Sequence, residues 1–89
     1  VILESDFELD NIEFRHAPLI AVAVSHSSGK IINSSFFQYG TYAMNFASSN
    51  IYLKNVMIDT SVEKAFENDI TSLVKINRLV TKGVNGKIN

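Results

Sequence analysis

Tyr42-Ala43-Met44-Asn45-Phe46-Ala47-Ser48-Ser49-Asn50-Ile51-Tyr52-Leu53-Lys54-Asn55-Val56-Met57-Ile58 is the stretch whose reading decides the fold. Tyr42, Met44 and Phe46 alternate with smaller or polar residues, which is the period-two signal of a strand with one buried face. Polar Ser48-Ser49-Asn50 ends that run, and Asn55 separates two further short apolar segments. The same order occurs one row earlier, where Ile20, Val22 and Val24 alternate and Asn33 divides Ile31 from Phe36.

Working outward, Asn11, Asn33, Asn55 and Asn77 are spaced by 22 residues. Their neighbours repeat too, as Leu9-x-Asn11-x-x-Phe14, Ile31-x-Asn33-x-x-Phe36 and Leu53-x-Asn55-x-x-Ile58. A fixed period of this length marks a solenoid, in which each repeat stacks on its neighbours. Strict phasing gives apolar files Phe14, Phe36, Ile58, Val80 and Val22, Met44, Phe66, Ile88. A third file runs Ile2, Val24, Phe46, Asn68, and a hydroxyl file runs Ser5, Ser27, Ser49, Thr71. Each row therefore reads as three short strands joined by corners, one turn of a triangular coil. Asn suits a corner because a tight bend needs positive φ, which costs Asn less than most side chains. Stacked corners also bring the amides about 4.8 Å apart, within reach of a hydrogen-bonded ladder. A leucine-rich repeat needs apolar residues three before and two after the Asn. Glu8, Lys30, Tyr52, Glu13 and Ser35 occupy such positions, so that alternative fails.

The stretch from Tyr42 to Ile58 resembles the right-handed parallel β-helix repeat of the pectate-lyase-like superfamily, whose coils read small-apolar-x-apolar, then Ser-Ser-Asn, then apolar-x-Asn-x-x-apolar. The likeness covers residues 2–60. It implies an all-β, right-handed, single-stranded parallel β-helix of about four coils of 22 residues, with three short strands per coil. It implies little about activity, because that superfamily holds polysaccharide lyases, glycoside hydrolases, epimerases, tailspikes, adhesins and non-catalytic spacers.

Past residue 60 strict phasing would turn Lys64, Asn68, Lys75 and Arg78 inward, and an unpaired buried charge costs several kcal/mol. A one-residue insertion near Ile70 repairs this by turning Val74 and Ile76 inward and Lys75 outward. The competing repair is a short helix over 62–74, capped by Ser61, with Val62, Ala65, Phe66, Ile70 and Leu73 on one face. The fourth coil is preferred, with Gly83 and Gly86 marking the bend beyond it. Val1 and Asn89 both fall inside expected strands. Bare strand edges template association. The expectation is thus that residues 1–89 form one segment of a longer solenoid, or pack end to end with another chain.

Hydrophobic residues at 46 % and charged residues at 19 % describe a folded chain. A net charge of −1 supplies no basic field for nucleic acid, and no apolar run is long enough for membrane insertion. Without cysteine there is no disulfide framework and no thiolate metal site. The corner segments Arg15–Leu19, Phe37–Thr41 and Asp59–Glu63 have equal length, so none walls a substrate groove. Ala21, Ala23, Ala43, Asn45, Ala65 and Glu67 read as the outward residues of the adjoining strand. Glu67 alone among them titrates, whereas glycoside chemistry needs two carboxylates and lyase chemistry a base beside a cation. No catalytic residue is assigned. His16 and His26 fall in different files, and Asp6/Asp10 and Glu67/Asp69 read as solvated turns, so no metal or other cofactor is expected.

Phe37, Tyr39 and Tyr52 stand out at outward or corner positions and are the candidate carbohydrate contacts, since aromatic faces pack on sugar rings. The expected function is a non-catalytic structural or adhesive β-helix in a larger extracellular or cell-envelope protein, associated with polysaccharide. The alternative is a fragment of a polysaccharide lyase or glycoside hydrolase whose catalytic coils lie elsewhere.

Overall fold

A corner between strands must turn the chain sharply, and one residue in the left-handed region does so in the fewest residues. The computed structural model describes residues 1–15, 20–37, 42–59 and 64–82. In it Asn11, Asn33 and Asn55 stand at φ of 60°, 52° and 54°. Between such corners run ten strands among the described residues: β1 (Ile2–Leu3), β2 (Phe7–Asp10), β3 (Glu13–Arg15), β4 (Ile20–Ser25), β5 (Ser28–Ile32), β6 (Ser35–Phe37), β7 (Tyr42–Ala47), β8 (Asn50–Asp59), β9 (Lys64–Asn68) and β10 (Leu73–Lys82). Every pairing is parallel and links strands of successive rows. The chain is therefore an all-β parallel solenoid, of about three turns where about four coils were expected.

β1, β4, β7 and β9 form one sheet. The second sheet wraps two sides of the coil, because β8 and β10 run on through the Asn corner while the earlier rows break there into β2/β3 and β5/β6. The region 62–74 holds no helix among its described residues; β9 and the start of β10 occupy it.

The 22-residue step holds wherever β4, β5 and β6 meet β7 and β8, as in Val22↔Met44, Ile31↔Leu53 and Phe36↔Ile58. It slips twice, both times at the corner after the first sheet. Leu3 pairs with Val24, so Leu3 and not Ile2 enters the Val24 file, and Ile2 is 75 % exposed. At the other end Asn68 still pairs with Phe46, but Leu73 pairs with Asn50. One extra residue has entered between them, at the turn Ile70-Thr71, where Ile70 is fully exposed. The insertion near Ile70 thus restores the coil, with Val74 opposite Ile51 and Ile76 opposite Leu53. It also moves Thr81, in place of Val80, opposite Ile58. Ile88, Gly83 and Gly86 lie outside the described residues.

The interior is a set of apolar files. Val22, Met44 and Phe66 make one, and Ile31 and Leu53 another, all fully buried. Phe36 stacks on half-buried Phe14 with ring centroids 4.8 Å apart and planes 10° from parallel. Burial of such a side chain contributes roughly 2–3 kcal/mol. Ala21 and Ala43, expected to point outward on an open face, are both buried. Alternation gives the direction of a side chain but not what lies over it.

The corners carry buried hydroxyls. Parallel bonding fails where the chain turns, leaving an N–H that must find an acceptor. Ser34 Oγ accepts the Ile12 N–H at 3.2 Å and donates to the Ile32 carbonyl at 2.9 Å. Ser49 Oγ accepts the Ser27 N–H at 3.2 Å and donates to the Ala47 carbonyl at 2.8 Å. Ser72 Oγ accepts the Ser49 N–H at 3.0 Å, so the hydroxyl file continues through Ser72 and not through Thr71.

Candidate functional site

The outward residues of β2, β5, β8 and β10 make a file of their own. Register places Glu8 beside Lys30, Lys30 beside Tyr52, and Tyr52 beside Lys75. Neighbouring strands lie about 4.8 Å apart, so the two ammonium groups are carried on strands flanking the tyrosine. These residues, with Phe7, Ser28, Gly29, Asn50, Ile51 and Leu73, line an open groove of about 430 Å³. Tyr52 is half-buried, while Glu8, Lys30 and Lys75 are exposed. An aromatic ring held between two flexible cations offers a flat apolar surface with hydrogen-bond donors at both edges.

The groove takes its shape from one missing side chain. Gly29 stands on the inward file between Phe7 and Ile51, and a Cβ there would run into the Phe7 ring. The ring therefore occupies the place that a larger residue in β5 would fill.

A second, smaller concavity of about 260 Å³ adjoins the groove at the corner and is lined by Asp6, His26, Ser27, Ser28, Ser48 and Asn50. His26 and Ser48 stand at φ of 50° and 51°, so the corner expected where Ser48-Ser49-Asn50 ends the strand run is also left-handed, a conformation the sequence did not announce. His26 Nδ1 lies 2.8 Å from Ser25 Oγ, and Asp6 accepts the Ser28 N–H at 2.9 Å. At the corner after β9, Asp69 does the same work more fully. It accepts the Ser48 N–H at 3.1 Å, the Thr71 N–H at 3.2 Å and hydroxyls from Thr71 and Ser72 at 3.0 and 2.8 Å. The Ser72 hydroxyl first, then the Ser48 N–H, hold its carboxyl below the usual value; desolvation opposes them, and Thr71 adds to the lowering.

The candidate aromatics do not gather in one patch. Tyr52 lies in the groove, whereas Phe37 lies beyond the Asn corner in β6, with the Arg15 guanidinium 4.5 Å over its ring. Arg15 is also paired with Glu13. Tyr39 and His16 are outside the described residues. The groove lysines, Lys30 and Lys75, were missed as site residues: nothing in the one-dimensional pattern marks an exposed lysine until register sets it beside Tyr52.

The Asn file is shorter and more mixed than its spacing. Asn55 Nδ2 donates to Asn33 Oδ1 at 3.0 Å, but Asn33 Nδ2 donates to Asp10 Oδ1 at 3.3 Å, not to Asn11. Asn77 pairs with Lys54, and Arg78 takes the corner at φ 70°. The extra residue near Ile70 displaces Asn77 by one, which removes it from the file. Among the described residues no group of three or more His, Cys, Asp or Glu is placed to hold a metal ion.

Comparison with known proteins finds no matching family model, no matching curated protein and no matching solved structure.

Proposed function

We propose that this chain is a non-catalytic coil segment of a pectate-lyase-like β-helix, serving a larger extracellular or cell-envelope protein as a rigid rod that also contacts polysaccharide. The observation that carries the reading is Tyr52 seated between Lys30 and Lys75 in the groove. A sugar ring stacks through its C–H face on a tyrosine, and ammonium groups on either side donate to hydroxyl or carboxylate oxygens of adjoining rings. Ser28 and Asn50 add short polar groups to the same walls. A solenoid suits the task because a groove along stacked strands is straight and follows an extended chain. The order of Tyr42 to Ile58 supports the superfamily affiliation.

The test is a glycan array probed with the wild-type chain and with Tyr52→Ala, each first checked for an unchanged far-ultraviolet spectrum. Binding by the wild type that falls at least about tenfold in the variant is expected. Equal signals from both proteins, or none from either, would remove the polysaccharide from the account. Release of reducing or unsaturated ends by the parent protein would overturn the non-catalytic reading.

A further inference from the structure

The groove is not uniform along its length. Asn50 and Leu73 pair with each other two residues before Tyr52 and Lys75, which pair likewise. Side chains two apart on a strand share a face, so these four stand at the corners of an outward square. A strand spacing of about 4.8 Å and a rise of about 3.3 Å per residue set Tyr52 and Leu73 roughly 8 Å apart on one diagonal. That diagonal is apolar. The other, from Asn50 to Lys75, is polar, and among the described residues neither side chain makes a hydrogen bond or ion pair.

One row back the corners are Ser28, Lys30, Asn50 and Tyr52, with a single apolar member. Leu73 adds a second apolar surface to the square of β8 and β10, and it is 54 % exposed. A further coil stacked on β10 would pair with its strand edge and leave this outward face open, so the square persists in a longer solenoid. A ligand covering it must offer apolar surface along one diagonal and hydrogen-bonding groups at both ends of the other. A ring bearing only hydroxyls supplies a C–H face for Tyr52 and nothing apolar for Leu73. A ring bearing an acetamido group supplies both. Its methyl reaches Leu73, its carbonyl oxygen accepts from the Lys75 ammonium, and its N–H donates to the Asn50 amide oxygen.

We infer that the square of Asn50, Tyr52, Leu73 and Lys75 is a subsite for an acetamido sugar, with Leu73 as the residue that sets the preference. The inference rests on the polysaccharide reading above and names the class of sugar that the groove selects.

Calorimetric titration of the 89-residue chain with chitohexaose and with cellohexaose tests this. Both sugars are uncharged and share one backbone and linkage, and they differ in an acetamido group against a hydroxyl on each ring. The Kd for chitohexaose is expected to be lower by about tenfold or more. Leu73→Ser, at an exposed position, should bring the two Kd values within about twofold of each other. In saturation-transfer NMR the acetyl methyl protons should receive the most saturation from the unaltered chain, and distinctly less from the variant. Equal Kd values for the unaltered chain overturn the acetamido subsite and leave the polysaccharide reading standing. A preference that survives Leu73→Ser overturns it as well. Binding of neither hexaose also overturns it, and the glycan array then shows whether the polysaccharide reading falls with it. The comparison of the two sugars on the unaltered chain stands whether or not the variant folds.

Discussion

Asn55 donates from Nδ2 to Oδ1 of Asn33 at 3.0 Å across one full turn, with both residues in the left-handed region. One amide thereby stabilises a backbone conformation and bridges two coils. Asn33→Ala loses both effects and should lower stability by about 1–2 kcal/mol. Asn33→Gly keeps the conformational freedom and should cost less. Thermal melts of the two variants compare the terms, and an Asn33→Ala midpoint equal to the wild type would refute the bridge.

The corner at Arg78 offers the converse experiment. Its φ of 70° is uncomfortable for arginine, and it stands where Asn33 and Asn55 stand in earlier rows. Arg78→Asn should stabilise the last turn by up to about 1 kcal/mol, a rise of several degrees in Tm for a chain of this size. A lower Tm would show that the arginine side chain contributes more than its backbone costs.

Phe36 is fully buried and stacked on Phe14, which is half-exposed at the end of the file. Phe36→Ala leaves a cavity enclosed by the coils and should cost about 3–5 kcal/mol. Phe14→Ala opens to solvent and should cost distinctly less. Urea denaturation giving equal losses would mean that Phe14 is as well covered in solution as Phe36.

Gly29 and Phe7 form a coupled pair. Gly29→Ala places a methyl against the Phe7 ring, which must swing away, at a cost of about 1–3 kcal/mol. In a Phe7→Ala background the obstacle is gone and alanine's smaller conformational entropy loss should make the same change neutral or favourable. A double-mutant cycle with no coupling would contradict the contact.

Asp69 contributes to acid sensitivity. Its folded pKa lies below the ordinary carboxylate value of about 3.9, so its contribution is present above that value and is lost as the pH falls through the lowered one. Nuclear magnetic resonance titration of the side-chain carboxyl should show a midpoint below about 3.9. Asp69→Asn should flatten the acid limb of the stability profile. A midpoint at or above the ordinary value would remove the serine and backbone donors as its cause.

Period and alternation together made the solenoid legible. The extra residue near Ile70 was legible too, since burying Lys75 and Arg78 would cost more than a slipped register. The left-handed turn of the second corner was not, because its two positive-φ positions hold His26 and Ser48 and no single residue type repeats there as Asn does at the first. Nor was the exchange of Ile2 for Leu3 in the Val24 file, where alternation alone permits either residue.

By itself the sequence determined which residues repeat and which side of each strand is apolar, because those depend on local chemistry and a period. Only the tertiary structure decided which rows lie opposite one another once a corner gains or loses a residue. That choice put Arg78 where Asn77 was expected and set Lys30 and Lys75 on either side of Tyr52. The reason is physical: in a stacked coil every strand pairing joins residues some 22 positions apart, so one inserted residue leaves local preferences intact and changes every strand partner downstream.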